Sequence, residues 1–316
     1  MKFEHTSVLL HETIDNLKVQ DDGIYVDATF GGGGHAHYLL SKLQSGLVVG
    51  FDQDAFAIKA ARENFATVLA AGHQPRLQLV HDNFANLKQD LVELGLTDGI
   101  DGIYYDLGVS SPQFDQAERG FSYRFNARLD MRMNQEQDLD AYQVVNTWSQ
   151  HDLARILYQY GGEKFARSIA RRIVERRQEE PIVTTFDLVD CVKAGIPAAA
   201  RRSGGHPAKK TFQAIRVVVN DELRVLRDSL TEAIEILKPG GRIAVITFES
   251  NEDKIVKQLF KEKSEVKIPR GMPAAPADET PTLKLVNRKP ITAQASELSA
   301  NNRSHSAKLR VAEKLG

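Results

Sequence analysis

Along the first 114 residues, short apolar runs alternate with stretches of helical period. The runs "GIYVDATF", "LVVGFDQD", "RLQLVHDNF" and "GIYYDLGV" read as buried strands, three of them running out into an aspartate. Between them, "HAHYLLSKLQ", "AFAIKAARENFATVLAAG" with a stop at Gly72, and "ANLKQDLVELG" with a stop at Gly95 predict helices. Strand and helix in this rhythm predict a parallel sheet with right-handed crossovers. After residue 115 the rhythm stops. "DAYQVVNTWSQHDLARILYQYG" and "EKFARSIARRIVERRQEE" read as helices closed by Gly161 and Pro181, and "TTFDLVDCVKAGIP" as a third, capped by Thr184 or Thr185. From 211 the alternation resumes with a long helix ending "ILKPGG", a strand "RIAVITFES" and a helix "EDKIVKQLFKEK". A Pro/Ala-rich loop (269–281), an edge hairpin and a basic tail follow. The pattern predicts an α/β domain, residues 1–114 with 211–316, interrupted by an all-helical insertion over 115–210.

Charge adds a division that the apolar pattern does not show. The whole chain of 316 residues has a formal net charge of -1, but residues 1–114 hold 7 Lys and Arg against 15 Asp and Glu. Residues 115–316 therefore carry a net +7, and a polyanion would bind there. Basic residues gather in "ARSIARRIVERRQ", "RRSGGHPAKK" and "NNRSHSAKLRVAEK", which also suit solvated helix faces. No apolar stretch approaches the roughly 18 residues of a membrane span. The start "MKFEHTSVLLHET" lacks the form of a signal peptide, so a cytoplasmic protein is expected. The single cysteine, Cys191, has no CxxC partner; it reads as a core residue and offers no thiolate metal site.

Candidate chemistry sits where the strands end. Gly31 to Gly34 lie between the first strand and first helix, where a backbone turn can approach a ligand; Gly31, Gly33 and Ala36 fit the dinucleotide pattern. Asp27, just ahead of the glycines, favours S-adenosyl-L-methionine, whose methionine amino group is positive, over NAD, whose pyrophosphate it would repel. Asp52, 25 residues further on, suits the two ribose hydroxyls of either cofactor. Phe84 could stack on an adenine ring, with Asp82 accepting from its amino group, although a core phenylalanine fits the spacing equally well. Asp106 closes the fourth strand at the same edge. There a carboxylate, backbone carbonyls or the Ser110 and Ser111 hydroxyls could hold the N–H bonds of an exocyclic amine while it attacks a methyl group. "RGFSYRF" supplies Arg119, Phe121, Tyr123 and Arg124, a mixture suited to base stacking and phosphate contact.

Seven blocks stand in order from residue 5 to about 312: "HTSVLLHET", "GIYVDATFGGGGHA", "DGIYYDLGVSSPQFD", "RGFSYRF" with "LDMRM", "HPAKKTFQAIRVVVNDEL", "LKPGGRIAVITFES" and "NRSHSAKLR". Together they resemble the MraW (RsmH) family of ribosomal RNA methyltransferases. The resemblance implies a class I S-adenosylmethionine-dependent methyltransferase fold, Rossmann-like and doubly wound, with a helical insert. It also implies N4-methylation of one cytidine in the decoding region of 16S ribosomal RNA, within the small ribosomal subunit. Carried over by position, the cofactor contacts would be Gly33, Gly34, His35, Asp52, Phe84, Asp106 and Gln113, with Asp106 also catalytic and no metal. A second copy of the chain stays open as a further partner. Three blocks depart from the family's pattern. Lys209 and Lys210 keep a positive charge in theirs, the tail lacks a proline and an arginine, and Glu249 stands where a histidine is common. Two other readings remain open at this point: an assembly factor that binds the cofactor without turnover, and an NAD-dependent dehydrogenase.

Overall fold

The computed structural model describes residues 7–70, 72–109, 111–202, 205–266 and 280–316. The chain divides into two compact units, residues 1–108 with 223–316 and residues 109–222. The range 115–210 lies inside the second.

The first unit is built on one seven-stranded sheet, β1 (Ile24–Asp27), β2 (Leu47–Phe51), β3 (Arg76–Val80), β4 (Ile100–Asp106), β5 (Leu237–Thr247), β6 (Leu283–Leu285) and β7 (Lys308–Lys314). Their order is β3-β2-β1-β4-β5-β7-β6, parallel from β3 to β5. The parallel strands are those that the alternation of strand and helix predicts, and the doubly wound form is what the family resemblance implies. Successive residues of each strand enter opposite cores. Val26, Val49, Tyr105 and Val245 pack on one face, and Tyr25, Val48, Tyr104 and Ala244 on the other. Burial on both faces is why these strands read as continuous apolar runs. Parallel pairing with matched registers, Asp27 opposite both Gly50 and Tyr104 and Phe51 opposite Val80, brings the carboxyl ends to one edge.

The C-terminal segment expected as a basic tail is instead sheet. β7 lies between β5 and β6, antiparallel to both. Leu309 and Val311 turn into one core and Ala312 into the other, a period of two that basic residues had hidden. Arg310, 8% exposed, donates from Nε to Asp253 Oδ1 at 2.7 Å, and Lys308 Nζ stands 3.4 Å from the same carboxylate. Most of the Pro/Ala-rich loop lies outside the described residues.

The second unit packs its helices around Leu129, Met131, Val144, Leu153, Ile169 and Ile215. The stretch expected as one helix over 140–161 is two, Ala141–Thr147 and Gln150–Gln159. Trp148 is extended, and the Ser149 hydroxyl accepts the Asp152 N–H at 3.1 Å, so a new helix starts there. Arg177 donates to the carbonyls of Val145 and Trp148 at 2.6 and 2.7 Å, meeting groups that the first helix end leaves open. Thr184 caps the helix Thr185–Gly195 in a reciprocal box with Asp187. Cys191 is buried in this core, and burial pushes its thiol up to about 11.

Several of the blocks quoted for the family resemblance are internal struts. Asn220 accepts the Met133 N–H at 2.8 Å and donates to the carbonyls of Met131 and Arg216, both at 2.9 Å. Arg216 grips Glu222 through Nε and Nη2 at 2.8 and 2.9 Å. Arg132 grips Asp130 in the same forked way, through Nε and Nη2 at 2.9 and 2.8 Å. Among the described residues no helix is long and apolar enough to cross a membrane.

Asn220→Ala strips partners from one buried backbone N–H and one buried carbonyl in the segment Met131–Met133. The expected loss is about 2–4 kcal/mol of stability, read from urea denaturation. A loss below about 0.5 kcal/mol, the scale of an ordinary surface substitution, would show that this strut is dispensable.

Candidate active site

Three carboxyls stand at the carboxyl edge of the sheet because β1, β2 and β4 each end on or just before an aspartate. Asp27 is 1% exposed; its Oδ1 accepts the Thr29 N–H at 3.0 Å and its Oδ2 the Tyr104 hydroxyl at 2.5 Å. Asp52, after β2, accepts the Gly31 N–H at 2.8 Å on Oδ2 and the Asp54 N–H at 2.8 Å on Oδ1. Asp106 donates its own N–H to Thr29 Oγ1 at 2.7 Å, which ties the ends of β1 and β4 together. Its side chain is arranged differently. Oδ2 lies 3.7 Å from His35 Nδ1, and Oδ1 is buried without a hydrogen-bond partner among the described residues. The remaining ring nitrogen of His35, Nε2, is 3.1 Å from the Val8 carbonyl, so a proton on it is held there.

These carboxyls hold their protons tightly. Burial pushes Asp106 up to about 8, and nearby Asp27 and Glu252 add to the rise while Arg303 opposes it. Burial likewise raises Asp27 to about 7 and Asp52 to about 6, against the hydrogen bonds that each accepts. Three neighbouring acids, each shifted toward its neutral form, make a site short of positive charge. A bound cation would relieve it.

The glycine turn is shaped as much by its own chain as by any ligand. Gly33 has φ +73°, and a Cβ there would stand 2.5 Å from the Phe65 ring and 2.9 Å from that of Phe30. At Gly34 a Cβ would meet Ser7 Oγ at 2.1 Å. Gly31, also at positive φ, turns its N–H onto Asp52. Gly33 and Gly34, expected as ligand contacts, thus have internal reasons to lack a side chain.

Phe84 opens a short turn after β3 and meets Tyr105 edge to face at 5.6 Å, half-buried beside the core. The oxygens of Asp82 are engaged by Asn83 N–H at 2.6 Å and by Asn86 Nδ2 at 3.1 and 3.0 Å. Gln113 is buried within the helical unit, in the helix Ser111–Asp115. Ser110 lies outside the described residues, as does the side chain of Ser111. Glu249 has a structural task. It caps the helix Ser250–Ser264 in a reciprocal box with Glu252, whose Oε2 accepts the N–H groups of Phe248 and Glu249 at 2.9 and 3.0 Å.

Arg119 is no phosphate contact. It is 2% exposed and donates to the carbonyls of Arg132 and Met133 at 3.0 and 3.1 Å. Phe121 is core; Tyr123 is half-buried and Arg124 is exposed. Tyr104 and Thr29, which hold Asp27 and Asp106 in place, escaped the sequence reading. A tyrosine inside an apolar strand reads as packing, yet the period of two sets Tyr104 on the same face as Asp106.

One strand, β7, run antiparallel between β5 and β6 of an otherwise parallel sheet, together with the acidic carboxyl edge, defines the class: a class I methyltransferase fold. Residues 2–315 match the family described as "MraW methylase family". "Ribosomal RNA small subunit methyltransferase H" of Lactobacillus johnsonii is 73% identical over 315 residues, covering 100% of each chain. The protein of the same name from Limosilactobacillus fermentum is 56% identical over 315 residues, covering 99% of each. A solved rRNA methylase from Streptococcus thermophilus covers 99% of each chain at a TM-score of 0.45 and 11% identity, a likeness too slight to decide anything about the site. The chain belongs to the MraW methylase family.

The raised carboxyls make the ligand-free fold sensitive to alkali. Asp27 and Asp106 keep protons in the folded state that the unfolded chain, with carboxyls near about 4, has already released, so stability falls as pH rises through 7 and 8. The thermal midpoint of the ligand-free protein is expected to drop between pH 6 and pH 9, and to drop less in Asp106→Asn. A midpoint that rises over this range would contradict the assignment.

Proposed function

We propose that the protein transfers the methyl group of S-adenosyl-L-methionine to the N4 amino group of a cytidine in the decoding region of 16S ribosomal RNA. Family membership and the name that close relatives share support RNA as substrate, with the small ribosomal subunit as the proposed partner and the cytoplasm as the proposed place of work. The observation that carries the chemistry is the buried, unpartnered Oδ1 of Asp106 at the end of β4.

The residues present fit the cofactor. Asp27 is fixed by Thr29 and Tyr104 and would meet the methionine ammonium. Asp52, oriented by two backbone N–H groups, keeps lone pairs for the ribose hydroxyls, and Phe84 offers an aromatic edge to the adenine. Gly33, Gly34 and His35 shape the turn beside them, and Gln113 joins this set on the family resemblance alone. An acidic edge of this kind repels the pyrophosphate of a dinucleotide, which disfavours the dehydrogenase reading. When bound, the cofactor supplies a methyl carbon made electrophilic by a sulfonium. Oδ1 of Asp106 is then open to accept an N–H of the target amine, turning its lone pair toward that carbon. As N4 gains the methyl group it must shed a proton, and the Asp106 carboxylate, ionised once a cationic cofactor offsets the burial that raises it, is placed to take that proton.

Rates follow from this. Asp106→Ala is expected to lower methylation of 30S particles by about 100-fold or more, the scale of a lost acid–base group. Mass spectrometry of 16S rRNA nucleosides from a deletion strain should show the loss of one N4-methylated cytidine. An unchanged level would leave the protein a non-catalytic assembly factor. Since cofactor binding favours ionised Asp27 and Asp106, affinity for S-adenosyl-L-methionine in calorimetry should strengthen from pH 6 to pH 8.5. Titration with NAD over the same range should give no heat of binding; NAD binding would favour the dehydrogenase.

A further inference from the structure

Of the three basic clusters, two are largely engaged within the fold. In the helix Ala166–Glu179, Arg171 and Arg172 pair with Glu175, Arg176 with Glu180, and Arg177 binds carbonyls. In β7, Lys308 and Arg310 hold Asp253. In the cluster at 201–210, Lys210 donates to the Gly162 carbonyl at 3.1 Å, and an aromatic stack stands at His206.

His206 is exposed, yet its ring lies flat on Tyr123, 4.3 Å between centroids and 9° between planes. Phe212 supports Tyr123 edge to face at 5.7 Å, so the stack is anchored to the core. The Ala208 N–H donates to His206 Nδ1 at 3.3 Å, which puts the ring proton of the neutral form on Nε2. Partial burial, with Lys193 and Arg124 nearby, holds the imidazole below its ordinary value, so it is neutral at pH 7. Arg124 is exposed, and Lys193 makes a surface pair with Asp190 at 3.5 Å. Two exposed phenylalanines flank the same segments. Phe125 is 47% exposed with its carbonyl held by the Thr185 hydroxyl at 2.6 Å, and Phe186 is 43% exposed on the helix that carries Lys193.

We propose that this face binds an unpaired stretch of the RNA substrate, one base stacking on the open face of the His206–Tyr123 pair while Arg124 and Lys193 meet phosphates. A flat ring pair, exposed at His206 and held by Phe212 at Tyr123, beside cations and further aromatic rings, matches what single strands offer and duplexes hide. An acidic peptide would use the cations and leave the rings idle. The inference rests on the reading of the protein as an RNA methyltransferase.

Fluorescence anisotropy with the full-length protein, a labelled unstructured 12-nucleotide RNA and the same sequence as a duplex tests it. The single strand should bind more tightly than the duplex. His206→Ala should weaken single-strand binding by about fivefold or more, the loss of one base stack, while His206→Phe stays within about twofold. Arg124→Ala should reduce the slope of log Kd against log salt by about 0.7. Its exposed side chain keeps that readout free of folding defects. Wild-type affinity in both His206→Ala and Arg124→Ala, tighter binding of the duplex, or tighter binding of an oligoglutamate peptide would each overturn the platform. If the unmodified chain still methylates 30S particles in that case, the platform alone falls; if it methylates nothing, the enzyme reading falls with it.

Discussion

Asp27 meets the Tyr104 hydroxyl at 2.5 Å across two neighbouring strands, and much of the site depends on that bond. It fixes a buried carboxyl at the end of β1, and the like charge then raises Asp106 one strand away. Thr29 joins the two, giving its N–H to Asp27 and its hydroxyl to the Asp106 N–H. Burial drives all three acids toward neutrality, so the edge stores an electrostatic cost that a cationic ligand relieves. Positioning and protonation at this edge therefore come from the same few atoms.

Charge is used differently in the two parts of the chain. In the sheet-based unit, cations such as Arg242 and Arg310 lock strands and helix to carboxylates. In the helical unit, Arg119, Arg177 and Arg216 bind backbone carbonyls or a carboxylate inside the fold. The excess of +7 over residues 115–316 thus overstates what is open to a polyanion. Much of it is consumed in holding loops to helices. Arg124, beside His206, is among the cations that stay exposed.

Glycine and aromatic residues share one constraint near the turn. Phe30 and Phe65 pack edge to face at 5.4 Å, and the space they occupy is the space that a Cβ at Gly33 would need. Gly50 yields to Phe30 in the same way, at 2.2 Å. Within the four-glycine run, Gly33 therefore answers to aromatic packing and Gly34 to the Ser7 side chain.

The order of strands and helices was legible because apolar period and stop residues are local signals, and so were Asp27, Asp52 and Asp106, which close apolar runs. The family blocks added His35 and Gln113. Other features were decided only by tertiary contact. One helix broke into two because Ser149 caps and Arg177 reaches back across 29 residues to the Trp148 carbonyl. A basic tail became a strand inside the sheet, next to its edge, because Asp253 neutralises Arg310 where Leu309 and Val311 are buried. Glu249 proved a helix cap, and Arg119 a buried strut. Hydrophobic period is written residue by residue, and the sequence alone determines it. Which partner neutralises a charge depends on residues brought together by folding, and that only the tertiary structure decided.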